Sequence, residues 1–216
     1  MKKFTMRRLF ALGIAAVGMA PAVYAALAAP VEIVALGDSL TAGYGLAPGE
    51  SFPEQLEAAL LGRGHDVRVA NAGVSGDTAA DGLARLEWSV PAEADIVIVE
   101  LGANDALRGL DPAVTRAALA EIVATLKGRG QAVLLAGMLA PRNLDDSYAA
   151  VFNHIYPDLA REEGVALYPF FLEGVAAEAG LNQADGMHPT AAGVARIVES
   201  ILPEVERLVA ATAAGR

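Results

Sequence analysis

No cysteine occurs anywhere in the chain. Disulfides, a thiolate nucleophile, cysteine-held metal and a lipid-modified cysteine anchor are therefore all excluded. Positive charge is also scarce, with 16 Lys and Arg against 26 Asp and Glu. Four of the 16 (Lys2, Lys3, Arg7 and Arg8) crowd the start, which leaves 12 basic against 26 acidic residues beyond it, a net charge of −14. Such a surface makes nucleic acid and anionic membrane poor partners and keeps the protein soluble. Histidine is rarer still: only His65, His154 and His188 can serve as an imidazole base. Internal repeats and low-complexity linkers are missing as well.

The start of the chain is a basic cluster, then an apolar uncharged run from Leu9 to Ala20, then small residues, which is the pattern of an export leader. Ala26-Leu27-Ala28 fits the small-x-small pattern at which such leaders are cut, and Val23-Tyr24-Ala25 is a second site. Residues 1–28 are thus expected to be a cleaved signal peptide and 29–216 one folded domain, since 54% hydrophobic residues suffice for a full core. A retained membrane anchor is the competing reading, because Leu9 to Ala29 is nearly long enough to span; Pro21 and the alanine-rich end suit cleavage better. Arg7-Arg8 admits twin-arginine export and the general route equally. Once cut, the domain keeps no stable membrane anchor and is expected in the periplasm or secreted, as a monomer.

Strand-like and helix-like segments alternate beyond the leader, the pattern of a parallel sheet covered by helices on both faces. Strands are expected at Glu32 to Leu36, Asp66 to Ala70, Ile96 to Leu101, Ala132 to Met138 and Val165 to Tyr168. Ser51-Phe52-Pro53-Glu54 is a capping-box start for a helix to about Arg63. Asp111-Pro112 starts another to about Lys127, stopped by Gly128 and Gly130. Further helices are expected from Ser147 to Glu163 and from Pro189 to Val209, with a fraying tail from Ala210. Right-handed crossovers bring the carboxyl ends of such strands to one rim. The loops predicted there contain Gly37-Asp38-Ser39, Asn71-Ala72-Gly73-Val74-Ser75-Gly76-Asp77 and Gly102-Ala103-Asn104-Asp105, and the turn Asp185-Gly186-Met187-His188-Pro189 precedes the last helix.

A buried strand that stops on Gly-Asp-Ser reads either as an ordinary turn or as a place for a nucleophile. Ser39 needs a base. His65 lies in a polar turn and His154 within a helical segment, whereas Asp185 precedes His188 by three residues, a spacing that lets a carboxylate orient an imidazole. Backbone donors are needed where negative charge develops. Gly73 allows close approach of its N–H, Asn104 can offer its amide, and the Ser39 N–H is a third; Gly73 and Asn104 also read as plain turn formers. Glu100 reads as a buried carboxylate with a structural partner.

These four blocks, in this order and spacing, resemble those of the SGNH hydrolase (GDSL esterase/lipase) superfamily, over essentially the whole mature chain. Leu40 to Gly45, Ser75-Gly76-Asp77-Thr78 and Leu107-Arg108-Gly109 are similar to its exported thioesterase, arylesterase and lysophospholipase branch. The resemblance implies a flavodoxin-like three-layer α/β/α fold with a five-stranded parallel sheet. It implies Ser39 as nucleophile, Asp185 and His188 as its partners, and an oxyanion hole of Ser39, Gly73 and Asn104. The Gly-x-Ser-x-Gly elbow of α/β-hydrolases is absent, because position 41 is Thr41.

The expected activity is hydrolysis of short to medium acyl or aryl esters and thioesters, with lysophospholipids in the same range, through an acyl-serine, with neither metal nor cofactor. Tyr44, Leu107, Arg108, Leu139, Pro141 and Met187 are the expected substrate-binding residues, and Leu107, Leu139 and Met187 read equally well as core. The alternatives are a carbohydrate O-acetylesterase of the same superfamily and a non-catalytic envelope binding module.

Overall fold

The computed structural model describes Met1 and residues 29–216; apart from Met1, the expected leader lies outside the described residues. Five strands, β1 (Val31–Gly37), β2 (Val67–Gly73), β3 (Ile96–Glu100), β4 (Ala132–Ala136) and β5 (Ala166–Tyr168), form one parallel sheet in the order β2-β1-β3-β4-β5. That order is the flavodoxin-like winding. The central strands are buried on both faces, which is why IVIVE of β3 and VEIVALG of β1 read as runs rather than alternations. Each such Val, Ile or Leu contributes about 1.5–3 kcal/mol on burial.

The helices among the described residues are α1 (Ser39–Ala42), α2 (Phe52–Gly62), α3 (Ala79–Ala84), α4 (Leu86–Ser89), α5 (Ala103–Leu107), α6 (Pro112–Gly128), α7 (Asp146–Phe152), α8 (Ile155–Glu163) and α9 (Ala191–Ala214). α2 packs on α9, and α6 packs on α3 and α8, which builds the two outer layers. α2 starts where the capping box requires: Glu54 Oε2 accepts from the Ser51 N–H at 3.1 Å and its hydroxyl at 2.5 Å. α9 turns Val194, Ile197, Val198, Ile201, Leu202, Val205 and Val209 inward at helical spacing.

Several boundaries differ from the sequence expectation. β2 runs on through Asn71-Ala72-Gly73, because these residues stay in register with Ala35, Leu36 and Gly37 of β1. β4 stops at Ala136, and Gly137 then passes under the Pro169 carbonyl, where a Cβ would overlap it. The helix expected from Ser147 to Glu163 is two helices. Pro157 has no N–H for the Asn153 carbonyl, and the Asn153 Oδ1 is taken by the Ala140 N–H at 2.8 Å. Pro189 stands outside α9, bridged to Asn182, and Thr190 caps the helix through the Gly193 N–H. The tail from Ala210 is helical to Ala214. No described helix is long and apolar enough to cross a membrane.

Candidate active site

Strand β1 ends at Gly37, where no side chain fits. A Cβ there would stand 2.6 Å from Glu100 Oε2 and 2.7 Å from the Glu100 carbonyl. Asp38 then caps α1, its Oδ1 accepting from the Leu40 N–H at 3.0 Å. Ser39 is therefore the first residue of a one-turn helix, which Gly43 closes in the left-handed conformation at φ 83°.

The turn before α9 faces it. Ser39 Oγ lies 2.9 Å from His188 Nε2, and His188 Nδ1 lies 2.7 Å from Asp185 Oδ2. The other oxygen of Asp185 accepts from the N–H groups of Met187 at 2.9 Å and His188 at 3.0 Å. Those backbone N–H bonds, first the one from His188, and then the imidazole hold the Asp185 pKa down at about 2. An ionised Asp185 fixes the proton on Nδ1 and leaves Nε2 free to accept from the serine hydroxyl. The Tyr44 ring walls the imidazole at a centroid distance of 4.6 Å. The remaining histidines lie elsewhere: His65 pairs with Glu206 at 3.1 Å instead of facing solvent alone, and His154 precedes α8.

Of the expected oxyanion donors, Gly73 is committed elsewhere. It sits in β2 rather than in a loop, and its N–H donates to Asn71 Oδ1 at 2.9 Å. Asn104 lies in the first turn of α5 instead of in a loop turn, and its Nδ2 donates to Asp38 Oδ2 and the Asp77 carbonyl, each at 3.0 Å. The Ser39 and Gly76 N–H groups have no acceptor among the described residues. Gly76 holds a left-handed φ of 92°, directly before the Asp77 whose carbonyl meets Asn104. That left-handed φ, which favours glycine, distinguishes Gly76 from Gly73 in the structure and is not displayed by the sequence.

Behind Ser39 lies a buried polar cluster that the sequence hardly announces. Asp38 is fully buried, and that burial, partly offset by the Leu40 and Asn104 donors, lifts its pKa to about 6. Glu100 is buried too; burial and then the neighbouring Asp38 push its pKa well above the usual carboxylate range. Its Oε2 meets the Thr41 hydroxyl at 2.7 Å, and its Oε1 has no partner among the described residues. Arg85 closes the cluster, donating to Asp77 Oδ2 at 2.6 Å, the Ser89 hydroxyl at 3.0 Å and the Gly37 carbonyl at 2.9 Å.

The rim above is apolar and exposed. Tyr44 is 54%, Leu107 55%, Leu139 45% and Met187 49% accessible, so the three aliphatic residues are not core. Pro141 is half-buried in the loop after β4. Arg108 donates to the Gly76 carbonyl at 2.7 Å and so ties α5 to the loop after β2. Among the described residues no His, Asp and Glu group could hold a metal ion.

Comparison with known proteins agrees with this architecture. The model of the GDSL-like lipase/acylhydrolase family matches residues 35–196. The chain is 40% identical over 182 residues to "Esterase TesA" of Pseudomonas aeruginosa, covering 84% of this chain and 90% of that one. It is 39% identical over 163 residues to "Thioesterase 1/protease 1/lysophospholipase L1" of Escherichia coli strain K12, covering 75% and 77%. Among solved structures, AlinE4, titled an SGNH-hydrolase family esterase, superposes with a TM-score of 0.71 at 47% identity, covering 84% of this chain and 97% of that one.

Proposed function

Because the chain belongs to the GDSL-like lipase/acylhydrolase family, we propose that it is a serine esterase and thioesterase that hydrolyses short to medium acyl or aryl esters and acyl thioesters through an acyl-serine. The observation that carries this reading is the unbroken line of hydrogen bonds from Asp185 through His188 to Ser39, at 2.7 and 2.9 Å.

In the first step His188 Nε2 takes the Ser39 proton as Oγ bonds to the acyl carbon, and the carbonyl electron pair moves onto oxygen. Collapse of that intermediate expels the alcohol or thiol, which leaves with the proton held by His188. Water then gives a proton to His188 and attacks the acyl-serine, and the acid departs as Ser39 recovers its hydrogen. Asp185 stays charged throughout and steadies the imidazolium. The oxyanion is received by the N–H groups of Ser39 and Gly76, with Gly76 replacing Gly73, whose N–H is spent on Asn71. Asn104 joins when the oxyanion takes one of its amide hydrogens from the Asp77 carbonyl, while Asp38 keeps the other.

Tyr44, Leu107, Leu139, Pro141 and Met187 line the acyl path, and Arg108 steadies its edge. This exposed apolar rim favours acyl chains over acetylated carbohydrate; greater turnover of acetylated xylan than of an acyl thioester would reverse the assignment. With residues 1–28 removed, the enzyme works as a monomer in the periplasm or outside the cell. Ser39→Ala should abolish ester turnover with folding intact, and a fluorophosphonate should label the wild-type chain at Ser39. Near-normal turnover by that variant would end the proposal.

A further inference from the structure

Gln183 joins the two loops that carry the nucleophile and the base. Its backbone N–H donates to the His188 carbonyl at 2.7 Å. Its Nε2 donates to the Tyr44 carbonyl at 2.7 Å and the Pro189 carbonyl at 2.9 Å. One side chain thus spans a sequence separation of 139 residues. The far end of the bridge is close to the chemistry, since the Tyr44 N–H donates to the Ser39 carbonyl at 3.1 Å and the Tyr44 ring rests on His188.

The junction has a specific chemical need. Two backbone carbonyls, one from each loop, approach the same point and cannot bond to each other, so only a double donor satisfies both. A primary amide is such a donor and brings no charge beside the Asp185–His188 pair. Gly45 supplies a second, independent sign of the same design. It holds φ 74°, and a Cβ at that position would overlap Gln183 Oε1, so the nucleophile loop is left bare where the amide lies.

We propose that Gln183 is a positioning residue that locks the nucleophile loop to the base turn and so sets the Ser39–His188 contact; the proposal rests on the serine-hydrolase reading above. It touches neither the reacting atoms nor the substrate. Its loss therefore slows the reaction at Ser39 without weakening substrate binding.

Gln183→Met keeps the length and removes both donors. In the purified full chain, well below the melting temperature, labelling of Ser39 by a fluorophosphonate and kcat for nitrophenyl butyrate should both fall at least about tenfold, as loop misplacement of a fraction of an ångström implies. KM should stay within about twofold, because no binding contact is lost. Gly45→Ala displaces the same amide from the other loop and should give a loss of the same kind, with the double variant about as slow as the slower single one. A wild-type labelling rate in Gln183→Met overturns the proposal. So do losses that multiply in the double variant, or rate losses that merely follow the fall in melting temperature across the three variants. A wild-type chain that does not label at Ser39 overturns the serine-hydrolase reading instead.

Discussion

Replacing Glu100 by Gln should flatten the fall of stability with rising pH. Glu100 ends β3 with its carboxyl buried against Thr41 and close to Asp38. Burial and that neighbour keep it protonated far above the 4.5 at which an unconstrained glutamate titrates. Above pH 4.5 the unfolded chain releases this proton and the native chain holds it. Stability is thus greatest below the unfolded pKa and is lost, at about 1.4 kcal/mol per pH unit, as pH rises toward the native one. Between pH 4.5 and 7 the ceiling on this loss is about 3 kcal/mol, a large share of the roughly 5–15 kcal/mol that holds a domain of this size together. Glu100→Gln removes the proton from the balance. Its buried amide adds a fixed offset of about 1–3 kcal/mol that does not vary with pH. Asp38, lifted from 3.8 to about 6 mainly by its own burial, leaves a slope below pH 6 in both proteins. Urea unfolding at pH 5, 6, 7 and 8 gives the test: the two stability curves should converge or cross as pH rises. Parallel curves across that range would show that Glu100 titrates normally, and the account of the buried cluster would fall with it.

Asp185→Asn should cost on the order of 10³ to 10⁴ in kcat for a nitrophenyl ester, because the imidazole loses its fixed tautomer; a loss below tenfold would refute the orienting role. Since Asp185 is held at about 2, its contribution to stability is present above pH 3.8 and disappears only as pH falls through 2, so the acid limb of the rate profile belongs to another group. Arg85→Ala leaves the partly buried Asp77 without its cation and should destabilise by about 1–3 kcal/mol in chemical unfolding; a change under about 0.5 kcal/mol would contradict this role of the pair. Leu107→Ser with Leu139→Ser should raise KM for an octanoyl ester by about 5- to 30-fold, as loss of one or two kcal/mol of apolar contact implies, with acetyl ester turnover unchanged. Equal effects on both esters would remove these residues from the acyl path.

The winding of the sheet was legible because buried parallel strands have to be apolar runs and their connections have to be right-handed. The meeting of Ser39, His188 and Asp185 was legible for a similar reason: with three histidines in the chain, only His188 stood at a rim with a carboxylate three residues away. Hydrogen-bond direction was not. Gly73 and Gly76 look alike in sequence, and only the register of β2 on β1 decides that the first spends its N–H on Asn71. The break between α7 and α8 was readable from Pro157, whereas the helicity of Asn104 depends on Gly102 at φ 112°, a backbone state that sequence does not display. Gln183 gave no sign in the sequence, because one of its partner carbonyls, that of Tyr44, lies on a distant loop and backbone carbonyls are common to every residue.

Ser39 and His188 stand 149 residues apart, and the turn that carries His188 is anchored by α9, which seals against α2 and the sheet. A chain growing from its N-terminus therefore holds Ser39, the proposed nucleophile, long before it holds the imidazole that faces it. Synthesis must pass residue 188 and the last helix must dock before Ser39 and His188 can meet. On the proposed reading, a molecule that ends before residue 188 lacks its imidazole partner for Ser39 and should be unable to turn over esters.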